Sequence, residues 1–160
     1  VTPDQKRLAW IGGGIAFAWL LWPRKSAAEL LNPSQVTEHF TWEEFASHDG
    51  VPVPEDLRDH VRDLCKNLEK IRASVGESLH IVSGFRSQAH NEDVGGVKKS
   101  QHMLAYAADI APPDGWTVER LHDLILSMID RGEIKQGGVG IYPGWVHYDI
   151  RGYKARWDNR

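Results

Sequence analysis

GVGIYPGWVHYDI, residues 138–150, decides how this chain folds. Two short β-rich runs, 138–142 and 145–150, flank Pro143-Gly144, a dipeptide that turns the backbone, so they are read as two strands of an antiparallel hairpin. Side chains alternate across a strand, which places Trp145, His147 and Asp149 on one face and Val146, Tyr148 and Ile150 on the other. A histidine and an aspartate therefore share a face.

Working outward, 79–83 (LHIVS) and 105–111 (AYAADIA) supply two more β-rich runs. Two helical patterns flank these runs, one before them and one between them and the hairpin. In 54–75 the residues Leu57, Val61, Leu64, Leu68, Ile71 and Val75 recur at steps of four and three, with Pro54 suited to the first turn and Gly76 to the end. In 117–131 Thr117 is an N-cap, and Val118, Leu121, Ile125 and Met128 form the apolar stripe before Gly132. Two helices and about four strands predict an α+β domain, a small antiparallel sheet with flanking helices.

Composition agrees with one such domain. The chain has 160 residues, 41% hydrophobic and 26% charged, with a mean hydropathy of −0.43, which excludes a disordered chain, a collagen and a polytopic membrane protein. A net charge of −3 gives no basic field for phosphate backbones, so no nucleic-acid partner is expected. The single cysteine, Cys65, removes any intramolecular disulfide and any cysteine-based zinc site, and it reads as an inert thiol one residue off the first helix's stripe. Eight histidines are left as the soft ligands.

The N-terminus departs from this average. Residues 8–22 (LAWIGGGIAFAWLLW) are uncharged and lie between Lys6-Arg7 and Arg24-Lys25. As a helix they would span about 22 Å against a hydrocarbon core of about 30 Å, which suits a short membrane anchor with Trp10, Trp19 and Trp22 at the interfaces. A cleavable signal, with Ser26-Ala27-Ala28 as its small-residue stretch, and a helix buried against a partner protein remain as alternatives. The expected organisation is a hydrophobic helix in 1–25, a linker in 26–38 broken by Pro33, and the folded domain in 39–160. Subtracting the four basic and two acidic residues of 1–35 from totals of 19 and 22 leaves 15 against 20, a mildly acidic domain.

The chemistry concentrates in SQHMLAYAADI, residues 100–110. Six residues separate His102 from Asp109, so a loop can carry the imidazole while the following strand presents the carboxylate beside it. With His147 they make two imidazoles and one carboxylate, a three-ligand set that leaves the fourth position of a zinc ion open. The residue types alone also fit a hydrogen-bonded surface cluster without metal.

The stretch resembles the Ser-x-His-x-x-Gly-x-Ala-x-Asp motif of the zinc D-alanyl-D-alanine carboxypeptidases and endopeptidases, the LAS-type metallopeptidases, through Ser100, His102, Ala107 and Asp109. Ala105 stands where the motif has Gly. HFTWEEFASHDGVPVP (39–54), IVSGFRSQAHNEDVGG (81–96) and GGVGIYPGWVHYDIRG (137–152), ending in ARW, are similar to the C-terminal-domain subgroup of that family. The resemblance covers 39–157 and implies that His102, Asp109 and His147 bind Zn²⁺ for hydrolysis of a peptide bond in bacterial peptidoglycan.

Many relatives carry Glu or Asp three residues before the last histidine ligand, where this chain has Gly144. Asp149 is the nearest substitute, as a base or water-orienting group or as a partner that orients His147. The resemblance implies a role for Arg86 at the substrate carbonyl or carboxylate, with a surface salt bridge as the alternative. Ser100 and Gln101 are expected to support the metal loop by hydrogen bonds, and Asn91 to satisfy loop backbone. The remaining histidines lack ligand spacing, His90 being the one nearest the Arg86 loop. Implied partners are peptidoglycan stems or cross-links, a membrane through residues 8–22, and phage virion or lysis components, with the domain facing the periplasm or wall. A silent wall-binding or virion module is the alternative, favoured by Gly144.

Overall fold

The computed structural model describes residues 33–160. The expected anchor or signal, and all but the last residues of the expected linker, lie outside the described residues. Among the described residues no helix is long and apolar enough to cross a membrane.

The chain is α+β, with a five-stranded sheet in the order β1-β2-β4-β3-β5. The strands are β1 (His80–Ser83), β2 (Ala107–Ala111), β3 (Gly138–Ile141), β4 (Val146–Asp149) and β5 (Ala155–Asp158), and the helices are α1 (Arg58–Val75), α2 (Gln88–Asp93) and α3 (Val118–Asp130). Both helices expected from periodicity form. The stripe of α1 is buried from Val61 to Val75, Leu57 being half-buried in a 3-10 turn that precedes it, and the helix stops at Gly76 with φ 81°. Thr117 caps α3, its hydroxyl accepting from the Arg120 amide. One apolar cluster joins these stripes to Ala108, Ile110, Val139, Val146 and Tyr148 on one face of the sheet. The other face is left for polar residues.

The hairpin of β3 and β4 forms, Gly140 opposite His147, and β2 pairs antiparallel to β4, Asp109 opposite His147. Three features differ from expectation. The sheet is mixed rather than antiparallel, because β5 runs parallel to β3. After β4 the chain crosses the start of β3 through 151–154, where Gly152 (φ 88°) donates to the Gln136 carbonyl, and returns along the outer side. Its four residues are half-buried or exposed, so no alternation of hydrophobicity marks them as a strand. β2 begins at Ala107 rather than 105, because Ala105 has φ 55° and cannot continue a strand. The short helix α2, capped by Ser87, carries too few residues to show a period.

Candidate metal centre

His102 sits in a 3-10 turn, Gln101–Leu104, held from several sides. The Ser100 hydroxyl caps it by accepting from the His102 amide at 3.3 Å, and the left-handed Ala105 closes it. The Arg86 amide donates to the His102 carbonyl, and the Gln101 carbonyl accepts from the Tyr106 amide. From α1, 44 residues away in sequence, the His60 Nδ1–H donates to the Leu104 carbonyl at 2.8 Å while the Tyr106 hydroxyl donates to its Nε2 at 3.1 Å. Ser100 thus has the expected place, and Gln101 contributes its backbone. His60, expected to be only surface or packing, braces the turn.

Asp109 and His147, cross-strand neighbours on the polar face, project toward the turn. His102, Asp109 and His147 are 3%, 4% and 6% exposed, and among the described residues they form the one group whose ligand atoms all lie within 4.8 Å of one another. His102 Nε2 is 3.1 Å from His147 Nδ1 and 3.3 Å from Asp109 Oδ1, and His147 Nδ1 is 2.9 Å from Asp109 Oδ1. Atoms bound tetrahedrally to zinc at about 2.0–2.1 Å stand about 3.3 Å apart, so this triangle is one face of such a site.

The outer ring nitrogens show which atoms are lone pairs. His102 Nδ1 donates to the Gly84 carbonyl at 2.6 Å, leaving Nε2 without a proton. His147 Nε2 donates to Asp149 Oδ2 at 3.0 Å, so Nδ1 is the nitrogen that faces the group. His102 Nε2, His147 Nδ1 and Asp109 Oδ1 then converge, an arrangement that a cation satisfies. The residues fit zinc on this ground. In the metal-free protein the cation is a proton: burial would lower the His147 pKa, but Asp109 and Asp149 raise it. Burial lowers that of His102 despite Asp109. Burial would raise the Asp109 carboxyl, yet hydrogen bonds and charge from both histidines hold it well below the usual carboxylate range.

Asp149 is fully buried behind His147. Its Oδ1 accepts from the Gly138 amide at 2.9 Å and from Arg151, and its Oδ2 accepts from His147 and from Arg151 Nη2 at 2.6 Å. A Cβ on Gly138 would stand 2.3 Å from Oδ2, so only glycine admits the carboxylate there. Burial would raise its pKa, but the bonds from His147, Arg151 and Gly138 hold it well below the ordinary value. Both oxygens are committed and neither reaches solvent. Arg86 Nη2 donates to Asp109 Oδ2 at 2.6 Å and its Nε to the Ser83 hydroxyl, the side chain being 19% exposed. Its pairing is with the ligand carboxylate rather than at the surface.

Position 144 is open, since a Cβ on Gly144 would meet nothing within 4 Å. The His48 and His90 rings lie 5.6 Å apart, tilted by 42°, outside the group, and His39 bonds Glu69. Asn91 donates from Nδ2 to the Val97 carbonyl, the loop role expected of it. Cys65 is fully buried and burial pushes its thiol pKa up, as suits an inert thiol. Sequence reading missed Gly138, Arg151 and His60; the run Asp149-Ile150-Arg151, which lets a fork reach back to a carboxylate two residues earlier, was the available signal for Arg151.

The family model described as peptidase M15 matches residues 37–149, well over half of the chain, and includes His102, Asp109 and His147. A buried group of two histidines and one aspartate within the matched residues agrees with that match: the chain belongs to the peptidase M15 family and is a zinc metallopeptidase.

Proposed function

We propose that this peptidase hydrolyses a peptide bond of bacterial peptidoglycan, at a D-amino acid, as a D,D-carboxypeptidase or endopeptidase of the C-terminal-domain subgroup. His102 Nε2, Asp109 Oδ1 and His147 Nδ1 hold the zinc in this reading. The observation that carries it is the convergence of those three atoms, with the outer nitrogen of each histidine bonded away from the group. Bound there, zinc supplies Lewis-acid polarisation of a scissile carbonyl and acidifies a water toward a pKa of about 7.

The protein's own groups supply the rest. Asp149 acts through His147, fixing its tautomer and ring direction, because its carboxylate is sealed from any water it would deprotonate. Arg86, anchored to Asp109 yet partly exposed, stands where a guanidinium can meet a substrate carboxylate or developing oxyanion. The apolar segment 8–22 supports tethering of the domain to a membrane, facing periplasm or wall, in wall remodelling or in phage lysis or entry.

Digestion of purified muropeptides, with mass analysis of the products, tests the proposal. Zinc-dependent cleavage that chelator and His102→Ala both abolish is expected, and the fragment masses name the bond. Metal-dependent cleavage of ordinary peptides with muropeptides untouched would reject the substrate.

A further inference from the structure

The row of residues that crosses the polar face of the sheet runs Asp109, His147, Gly140, Trp157, each the direct register partner of the next. Three of these strands lie within the family match, but Trp157 comes from β5, beyond residue 149. Gly140 places no side chain between His147 and Trp157. The indole folds into that gap: a Cβ on Gly140 would lie 2.1 Å from both Cε2 and Nε1 of Trp157. It reaches across to the imidazole, the ring centroids of His147 and Trp157 standing 5.1 Å apart at 48°.

His147 needs such a neighbour. Its Nε2 is tied to Asp149, and His102 meets it edge-on at 4.9 Å. The partners of its two nitrogens, Asp149 at Nε2 and Asp109 and His102 at Nδ1, hold the ring by its edge, and Gly140 offers no side chain to support its face. The indole occupies the space above Gly140 and is itself held, its Nε1–H donating to the Tyr142 hydroxyl at 3.0 Å while the Arg151 guanidinium lies 5.8 Å from its ring. Arg151 also clamps Asp149. One network therefore fixes the imidazole through its nitrogen and through its face.

We propose that Trp157, seated in the slot left by Gly140, is a positioning residue that locks the His147 ring with Nδ1 aimed at Asp109, so that β5 completes the metal centre. The inference rests on the zinc reading of His102, Asp109 and His147. It implies that the slot and the indole act as one unit, since adding a methyl at residue 140 removes the indole from its seat without altering it chemically.

The test uses the full-length chain in detergent, as wild type, Trp157→Ala, Gly140→Ala, the double variant and Trp157→Phe, with circular dichroism confirming that each is folded. Zinc affinity is read by competition with a chromophoric chelator, and the cobalt-substituted proteins by their visible ligand-field spectra. Trp157→Ala and Gly140→Ala are each expected to weaken zinc about tenfold and to alter the cobalt spectrum. The double variant should be no worse than either single one, because both remove the same contact. Trp157→Phe, which keeps an aromatic plate, should stay near wild type. Folded single variants with wild-type affinity and an unchanged cobalt spectrum would overturn the inference, as would fully additive losses. Wild type that binds no stoichiometric zinc would instead overturn the reading beneath it.

Discussion

Asp149→Asn separates a carboxylate that works as a base from one that works by aiming a histidine. Every hydrogen bond at Asp149 is one that it accepts, from Gly138, Arg151 and His147. A carboxamide has one acceptor oxygen and one amino group, so in either orientation the amino group faces donors. The backbone amides of Gly138 and Arg151 cannot change what they offer, and they retain the oxygen. The amino group then faces His147 Nε2 and Arg151. His147 relieves its half of the conflict by moving its proton to Nδ1, the atom that points at Asp109. A ligand becomes a donor.

Two magnitudes follow. Removing one partner of a buried charge pair costs about 3–5 kcal/mol, and the lower end applies because Arg151 is still 20% exposed. Loss of the hydrogen bond that orients a ligand weakens metal binding about 10- to 100-fold. Denaturant unfolding of the metal-free proteins reads the first, chelator competition the second, and nitrogen-15 shifts the proton's position. A folded Asp149→Asn protein that binds zinc like wild type, with Nδ1 unprotonated, and has lost only turnover would refute this reasoning and return Asp149 to the role of base.

The same network sets an acid limit. Asp109 and Asp149 are held below their ordinary values, so their contribution to stability is complete above the unfolded carboxylate pKa of about 4 and is lost as pH falls through the lower folded values. The raised His147 acts in the opposite sense, stabilising the metal-free protein below about pH 6.5 and ceasing to as pH rises through its folded value. Acid titration of metal-free stability should therefore be shallower below pH of about 4 in Asp149→Asn than in wild type.

Ala105→Gly should stabilise the fold by about 0.5–1 kcal/mol, because the left-handed conformation costs alanine about 1–2 kcal/mol and the extra freedom of unfolded glycine returns only part of it; denaturant midpoints check this. Gly144→Glu enters open space and restores the acid that relatives carry, so turnover should rise with the melting temperature unchanged within a degree or two. Unchanged turnover there would show that the site already has an equivalent base. Cys65 should resist iodoacetamide in the native protein and react only on unfolding, as mass analysis would show.

Much of this protein was legible in its sequence because burial imprints a period. The stripes of α1 and α3, the Thr117 cap, the stop at Gly76 and the turn at Pro143-Gly144 are local features, each decided by a few neighbouring residues. The alternation of β4 put His147 and Asp149 on one face, and the spacing from His102 to Asp109 joined a turn to a strand. What failed lacked a period: β5 and α2 bury too little, over too few residues, to leave one.

The sequence by itself determined the two helices, the hairpin and the residue types of the metal group. Only the tertiary structure decided what those residues do to one another. Asp149 reads in the sequence as base or as partner, and its burial against Gly138 and Arg151 comes only from the packing. His60 and Trp157 reach the metal loop and His147 from elements far away or unmarked in sequence. The physical reason is that a face is encoded every two or 3.6 residues along one segment, whereas the partner across a gap depends on which segments pack together and on which side chains, like that of Gly140, are missing from between them.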